Sequence, residues 1–253
     1  MILEKIVASR KEKVAALEAP RRSLGKALEK GGISLIGEIK RASPSQGTLA
    51  SSWNPEGLLK SYVKGGIRAL SVVTEPNFFS GDPALLGHLK KRCSCPVLRK
   101  DFLLHPLEMY ESYLLGADAV LLIAAILEDR VLREMLQAAE NLGLECLVEV
   151  HSSEELARVL DTSAEIIGIN NRDLRDFSVS LKTTEKLLKE LHRREPGSTR
   201  KVISESGITC REDAFYLESL GVQGMLVGTA LVRSGDPEAL VRELTGEAGE
   251  RAS

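Results

Sequence analysis

The sequence predicts an α/β fold, a closed (β/α)8 barrel of the TIM type preceded by an N-terminal helical extension. Three observations carry that prediction. Short apolar or β-branched runs alternate with amphipathic helical segments along the chain. Eight such runs occur. Several helical segments end in glycine immediately before the next run, as in "KGGIRAL", "LLGADAV", "NLGLECL" and "SLGVQGM". Glycine past a helix end takes the left-handed conformation that turns the chain into a strand. Alternating strands and helices make right-handed βαβ units and a parallel sheet, and eight units close into a barrel. The alternative is an open doubly wound sheet, but no G-x-G-x-x-G follows the first strand.

The elements follow in order. Residues 1–34 form the extension, with helices expected over 2–18 and 22–30. Ile2, Ile6, Val7, Val14 and Leu17 give the first helix an apolar stripe that must cover something. A barrel needs no such preface. It is either a plug for the bottom face or a lid over the active face, and the lid is favoured.

Strands are expected at 35–41, 69–75, 97–103, 119–125, 144–150, 166–171, 201–206 and 224–229. Between them, "PEGLLKSYVKGG", "EDRVLREMLQAAENLG" and "REDAFYLESLG" read as helices. The barrel is expected over 35–246, with a tail at 247–253. No low-complexity linker interrupts it, so the chain reads as one domain.

Composition narrows the function. The chain has 253 residues, 43% hydrophobic, and a formal charge of −2. That near-balance offers no long-range field for nucleic acid or an anionic membrane. No apolar run approaches the ~20 residues of a membrane helix, and the N-terminus lacks the unbroken apolar core of a signal peptide. A cytoplasmic monomer is expected. The four cysteines form no C-x-x-C pair, Cys93 and Cys95 are too close for an easy disulfide, and the histidines are scattered. No metal site is expected from such spacing.

The charges sit where a barrel does its chemistry, at the C-terminal ends of the strands. Strand one ends in Glu38 and Lys40, two apart and therefore on one face. Thr74-Glu75 ends strand two and Lys100-Asp101 ends strand three. Glu149 ends strand five, Asn170 ends strand six with Arg172 beyond it, and Glu205-Ser206-Gly207 ends strand seven. Strand four stays apolar. A single buried charge could be a structural pair, since isolated ones cost several kcal/mol. Polar ends converging on one mouth point to a reaction site, where lysines and glutamates suit acid–base work.

Two glycine turns, "SESGI" and "VGTALVR", follow strands seven and eight. Backbone N–H groups at Gly207, Gly228 and Thr229 are placed to grip a phosphate at the start of a short helix. Ser43, in the shaped loop "SPSQG", can donate to the same anion. Phe78 and Phe79 are core residues or, beside a charged mouth, an apolar wall for an aromatic substrate.

The motifs "EIKRASPSQG", "LSVVTEPNFFSGD", "PVLRKDFLLHPLEMYE", "GADAVLLIAAIL", "CLVEVH", "IGINNRDL", "ISESGI" and "LVGTALVR" occur in that order. Together they resemble the indole-3-glycerol phosphate synthase family from about Leu35 to Arg233. The resemblance implies conversion of 1-(2-carboxyphenylamino)-1-deoxyribulose 5-phosphate to indole-3-glycerol phosphate, with loss of carbon dioxide and water. It implies Lys100 as general acid on the substrate carbonyl and Glu149 as a partner in proton transfer during dehydration. Glu38, Asn170 and Glu205 position or stabilise charged intermediates, and Lys40 reaches the substrate near its carboxylate and phosphate. Arg172 binds the anthranilate carboxylate, while Ser206, Phe79 and Phe102 line the site. Ser43, Gly207, Gly228 and Thr229 hold the phosphate. No cofactor is implied.

Two positions depart from the family's usual pattern: Gln46 stands where many relatives carry lysine, and Thr229 where serine is common. Phosphoribosylanthranilate isomerase, a barrel that uses a cysteine and an aspartate, is the nearest enzymatic alternative. Glutamates at strands one and five argue against it. A phosphate-binding barrel without catalysis would need the two turns, but not Lys100 with Glu149.

Overall fold

The computed structural model describes residues 2–18, 20–29, 31–44, 46–49, 52–173 and 175–247. All eight expected strands are present, each ending at or up to three residues short of its expected limit. They are β1 (Ser34–Ile39), β2 (Ala69–Val73), β3 (Val97–Lys100) and β4 (Ala119–Ile123), then β5 (Glu145–Val150), β6 (Ile166–Asn170), β7 (Lys201–Glu205) and β8 (Gly224–Val227). All pair in parallel, and β8 returns to β1 to close the barrel. The strands read as nearly continuous apolar runs because both faces are covered, one by the barrel interior and one by helices.

Register decides which side chains share a layer. Following paired residues around the barrel, Glu38 faces Ser71, which faces Leu98. Glu149 faces Gly168, which faces Ile203, and Glu205 faces Leu226, which faces Ile36. Each passage across two strands lands one inward position below the next charged residue, because strands in a closed barrel are tilted and staggered. One inward step up from Leu98, Ile203 and Ile36 gives Lys100, Glu205 and Glu38. Glu38, Lys100, Glu149 and Glu205 therefore make one layer, contributed by alternate strands as barrel packing requires. Beneath it, Ile36, Leu98, Leu147 and Ile203 make an apolar layer from the same four strands.

The bottom is closed by the extension. Leu24 and Leu28 join the interior cluster. Leu24 begins and Leu28 follows the short helix α2 (Leu24–Ala27), which Ser23 caps by accepting from the Lys26 N–H. Ser23 also donates to Glu145 at the start of β5 (2.6 Å), and the Gly25 N–H donates to its other oxygen at 2.9 Å. Arg22 donates from its backbone to Asp118 (2.8 Å) and from its guanidinium to the carbonyls of Cys93 and Cys95. These partners lie at the N-terminal ends of β5, β4 and β3. Residues 20–29 are thus a plug, and the helix expected at 22–30 is reduced to one turn because its neighbours bond to strand ends instead.

The first helix, α1 (Ile2–Glu18), has the expected limits, but Ile2, Leu3, Ile6, Val7 and Val14 are exposed. The Leu17 side chain lies outside the described residues, as do residues 248–253 of the tail. On the outside, the helices Pro55–Gly65 and Pro237–Thr245 bring the two ends of the barrel sequence together, Gly65 allowing Val241 close approach.

Candidate active site

Glu38 and Lys40 both turn to the mouth, with Lys40 Nζ 2.6 Å from Glu38 Oε1. Across the barrel, Lys100 Nζ lies 3.2 Å from Glu205 Oε2 and 3.4 Å from Glu149 Oε2. The three carboxylates are almost completely buried. Sequence reasoning missed what makes room for them. A Cβ built on Gly228 would fall on Glu38 Oε1, and one built on Gly168 would fall on Glu205 Oε1. These glycines, one in β6 and one just past β8, hollow the wall where odd-strand carboxylates lie.

Charge follows from this packing. Burial alone would push the Lys100 ammonium toward neutrality, but Glu205, Glu149 and Glu38 reverse this and raise its proton affinity above the ordinary value. Burial would raise Glu149 as well, yet Lys100 and His151 override it and hold that carboxyl at about 2. Glu205 goes the other way. Burial, reinforced by the charges of Glu149 and Glu38, outweighs Lys100 and pushes it up to about 7. Its Oε1 has no hydrogen-bond partner among the described residues. With Glu205 protonated, Lys40 and Lys100 balance Glu38 and Glu149. Two carboxyls in one layer thus differ sharply in proton affinity, which is how acid and base roles are divided.

The turn after β7 is braced from β6. Asn171, also missed in the sequence, donates to Ser204 Oγ and to the carbonyls of Glu205 and Ser206 at 2.9 to 3.0 Å. Its Oδ1 accepts from the Thr184 backbone and hydroxyl. This network holds Ser206 at φ 66° and Gly207 at φ 83°, left-handed values that a serine adopts only when its surroundings impose them. Beyond β8, Gly228 stands at the cap of the short helix Thr229–Arg233, with no side chain satisfying the first turn. The signal in the sequence was the second Asn of "INNRD", masked by the first.

The other expected residues divide. Phe79 and Phe102 meet at 5.8 Å between ring centroids, forming an apolar wall, whereas Phe78 is exposed and is not core. Asn170 accepts from the Arg172 N–H through Oδ1 (3.0 Å), and its side chain also bonds Glu149. Arg172 donates from its guanidinium to the Phe177 carbonyl. Ser43 lies in a two-stranded hairpin with Gly47, and Gln46 is exposed on its turn.

Three polar strand-end residues do not join the ring. Glu75 accepts from the N–H groups of Asn77, Phe78 and Phe79 and shapes its own loop. Thr74 donates to Asp101 (2.5 Å), and buried Arg99 ties both to Glu111 and Ser112. They lose their place in the mouth because their loops need these partners.

A closed (β/α)8 barrel with a partly exposed lysine among three buried glutamates at its C-terminal mouth is an enzyme architecture fitted to acid–base chemistry. The known proteins agree. The family model for indole-3-glycerol phosphate synthase matches residues 3–244. The chain is 46% identical over 247 residues to the indole-3-glycerol phosphate synthase of Petrotoga mobilis, covering 98% of each chain. It is 45% identical over 250 residues to that of Desulforamulus reducens, covering 98% of this chain and 92% of the relative. Among solved structures, 3-hexulose-6-phosphate synthase from Salmonella typhimurium superposes with TM-score 0.64 at 13% identity, over 85% of this chain and 98% of that one. Thiamine phosphate pyrophosphorylase from Pyrococcus furiosus superposes with TM-score 0.62 at 18% identity, over 91% of this chain and all (100%) of that one. Those two likenesses concern the fold alone. The chain belongs to the indole-3-glycerol phosphate synthase family. It is accordingly a carboxy-lyase of tryptophan biosynthesis that forms indole-3-glycerol phosphate.

Proposed function

We propose that the Lys100 layer carries this reaction on 1-(2-carboxyphenylamino)-1-deoxyribulose 5-phosphate. The observation that supports it best is Lys100 held charged between Glu149 and Glu205. The ring carbon bearing the carboxylate attacks the substrate ketone while Lys100 delivers a proton to the ketone oxygen. That carbon becomes tetrahedral, the bond to the carboxylate breaks, and its electron pair restores the aromatic ring as carbon dioxide leaves. The new hydroxyl then departs as water, taking a proton from an acid, while Glu149 takes the proton lost beside the nitrogen. When Lys100 turns to the substrate oxygen, Glu149 loses a counter-charge and becomes a stronger base. Glu205, whose carboxyl titrates near neutrality, is suited to return the proton.

Binding is shared around the mouth. Lys40 and the N–H groups of Gly207, Gly228 and Thr229, with Ser43, hold the phosphate. Arg172 holds the anthranilate carboxylate, Phe79 and Phe102 flank its ring, and Glu38, Asn170 and Ser206 complete the lining. An acid, a base and an anion clamp suffice for these steps, without a metal or organic cofactor. The reading is of a cytoplasmic monomer, and no helix among the described residues is long and apolar enough to cross a membrane. Incubation with the carboxyphenylamino substrate is expected to produce indole fluorescence. Binding without fluorescence would leave a phosphate-binding barrel instead.

A further inference from the structure

His151 follows β5 directly and begins the segment "HSSEEL". Ser152 caps the next helix, Ser153–Leu160, by accepting from the Glu155 N–H. Glu155 reaches back in turn and accepts from the His151 backbone N–H at 2.8 Å, as a capping-box carboxylate does near its own cap. The same Glu155 oxygen lies 3.2 Å from His151 Nδ1. The opposite ring nitrogen, Nε2, lies 3.2 Å from Glu149 Oε1. It is buried and has no aligned hydrogen-bond partner among the described residues. Glu149 is thus approached on Oε2 by Lys100 and on Oε1 by an imidazole that a second carboxylate holds in place.

We propose that His151 is a positioning residue for Glu149: Glu155 fixes the ring on one side so that the other side aims a cation at Oε1 and keeps that carboxylate oriented and charged. Lys100 cannot do this throughout the reaction, because it must also serve the ketone oxygen. His151 has no such second duty. Its two carboxylate neighbours overcome its burial and raise it to about 9, so it remains a cation across the neutral range. The cap of the helix Ser153–Leu160 therefore also tunes the active site.

Among the described residues, the charged groups facing this pair are Glu155 from the helix that Ser152 caps, Lys100 from β3, Glu205 from β7 and Asp173 from the segment after β6. None but Lys100 is a cation, so losing the imidazolium leaves Glu149 with one. The inference rests on the assignment of proton transfer to Glu149.

The test is the pH profile of kcat for His151→Gln, His151→Lys and Glu155→Gln, beside Glu149→Gln. His151→Gln is expected to lower kcat about tenfold, the rate equivalent of one pKa unit, with KM little changed. Its acidic limb should move to higher pH by up to about one unit, as expected for a carboxylate losing a nearby opposite charge. His151→Lys should restore the limb, and Glu155→Gln should move it part of the way. An unshifted limb in both His151→Gln and Glu155→Gln, with Glu149→Gln inactive, overturns the role of His151 alone. A folded Glu149→Gln with full turnover overturns the Glu149 assignment itself.

Discussion

The charged layer and the apolar layer beneath it come from the same four strands and differ by two residues on each. Glu38, Lys100, Glu149 and Glu205 stand above Ile36, Leu98, Leu147 and Ile203. Both layers are buried except at Lys100, which is partly exposed to the mouth. The lower one gains from burial, at about 1.5–3 kcal/mol for each large side chain. The upper one loses by it, since each buried ion costs several kcal/mol before pairing. One strand period separates the part of the barrel that stabilises from the part that reacts, and the reactive layer is stable only as a set. Lys100 within it and Lys40 beside it offset the carboxylates, with Glu205 taking a proton where the lysines do not suffice.

The sharpest way to break the comparison is to remove a member from each layer. Lys100→Ala should reduce turnover by about 10²- to 10⁴-fold or more, the usual worth of a general acid. The remaining carboxylates can take up protons in place of their lost partner, so circular dichroism should still report an α/β fold. Near-wild-type turnover in folded protein would refute the assignment. Leu98→Ala, one inward position below on the same strand, should do the reverse. It should lower unfolding free energy by about 2–5 kcal/mol, as large-to-small core changes do, while the folded fraction keeps most of its kcat. Denaturant titration beside steady-state kinetics separates the two effects.

Gly168 sharpens the comparison at the seam between layers, where its missing side chain accommodates Glu205. Gly168→Ala should cost about 1–3 kcal/mol through overpacking and reduce kcat by displacing Glu205. If kcat is unchanged at saturating substrate, the position of Glu205 does not matter to the chemistry. Gly228 has the same relation to Glu38, so a Gly228→Val variant would disturb a carboxylate as well as the phosphate turn. Gly207, in the turn after β7, borders no member of the charged layer, but its φ of 83° and the closeness of Val179 make a side chain there a test of folding as well as of phosphate binding.

The strands, their order and the charged ends were legible because each depends on local pattern: apolar runs, glycine stops and polar residues at run ends. Which polar ends belong together was not. Glu75 and Asp101 look the same in sequence as Glu149 and Glu205, and only the loop N–H groups and Arg99 remove them from the mouth. The glycine seats at Gly168 and Gly228 depend on strand stagger, which no single strand reveals. His151 was legible as a residue but not as a partner, because the capping contact from Glu155 sets its ring.

The extension supplies the smallest expected effect and divides into two parts. Deleting residues 1–32 removes Leu24 and Leu28 from the barrel floor and strips Glu145 and Asp118 of hydrogen bonds from Ser23, Gly25 and Arg22. The denaturant midpoint should fall. Deleting only residues 1–18 leaves that plug in place. The apolar side chains of α1 that the structure describes are exposed, so their loss removes little buried surface and the midpoint should stay within error. An apolar stripe without a cover still favours a partner, and the substrate-filled mouth is the partner the lid reading requires. The 1–18 deletion should therefore raise KM modestly, with kcat little changed. Unchanged kinetics with a lowered midpoint would instead make α1 a brace for the barrel, and the lid reading would be dropped.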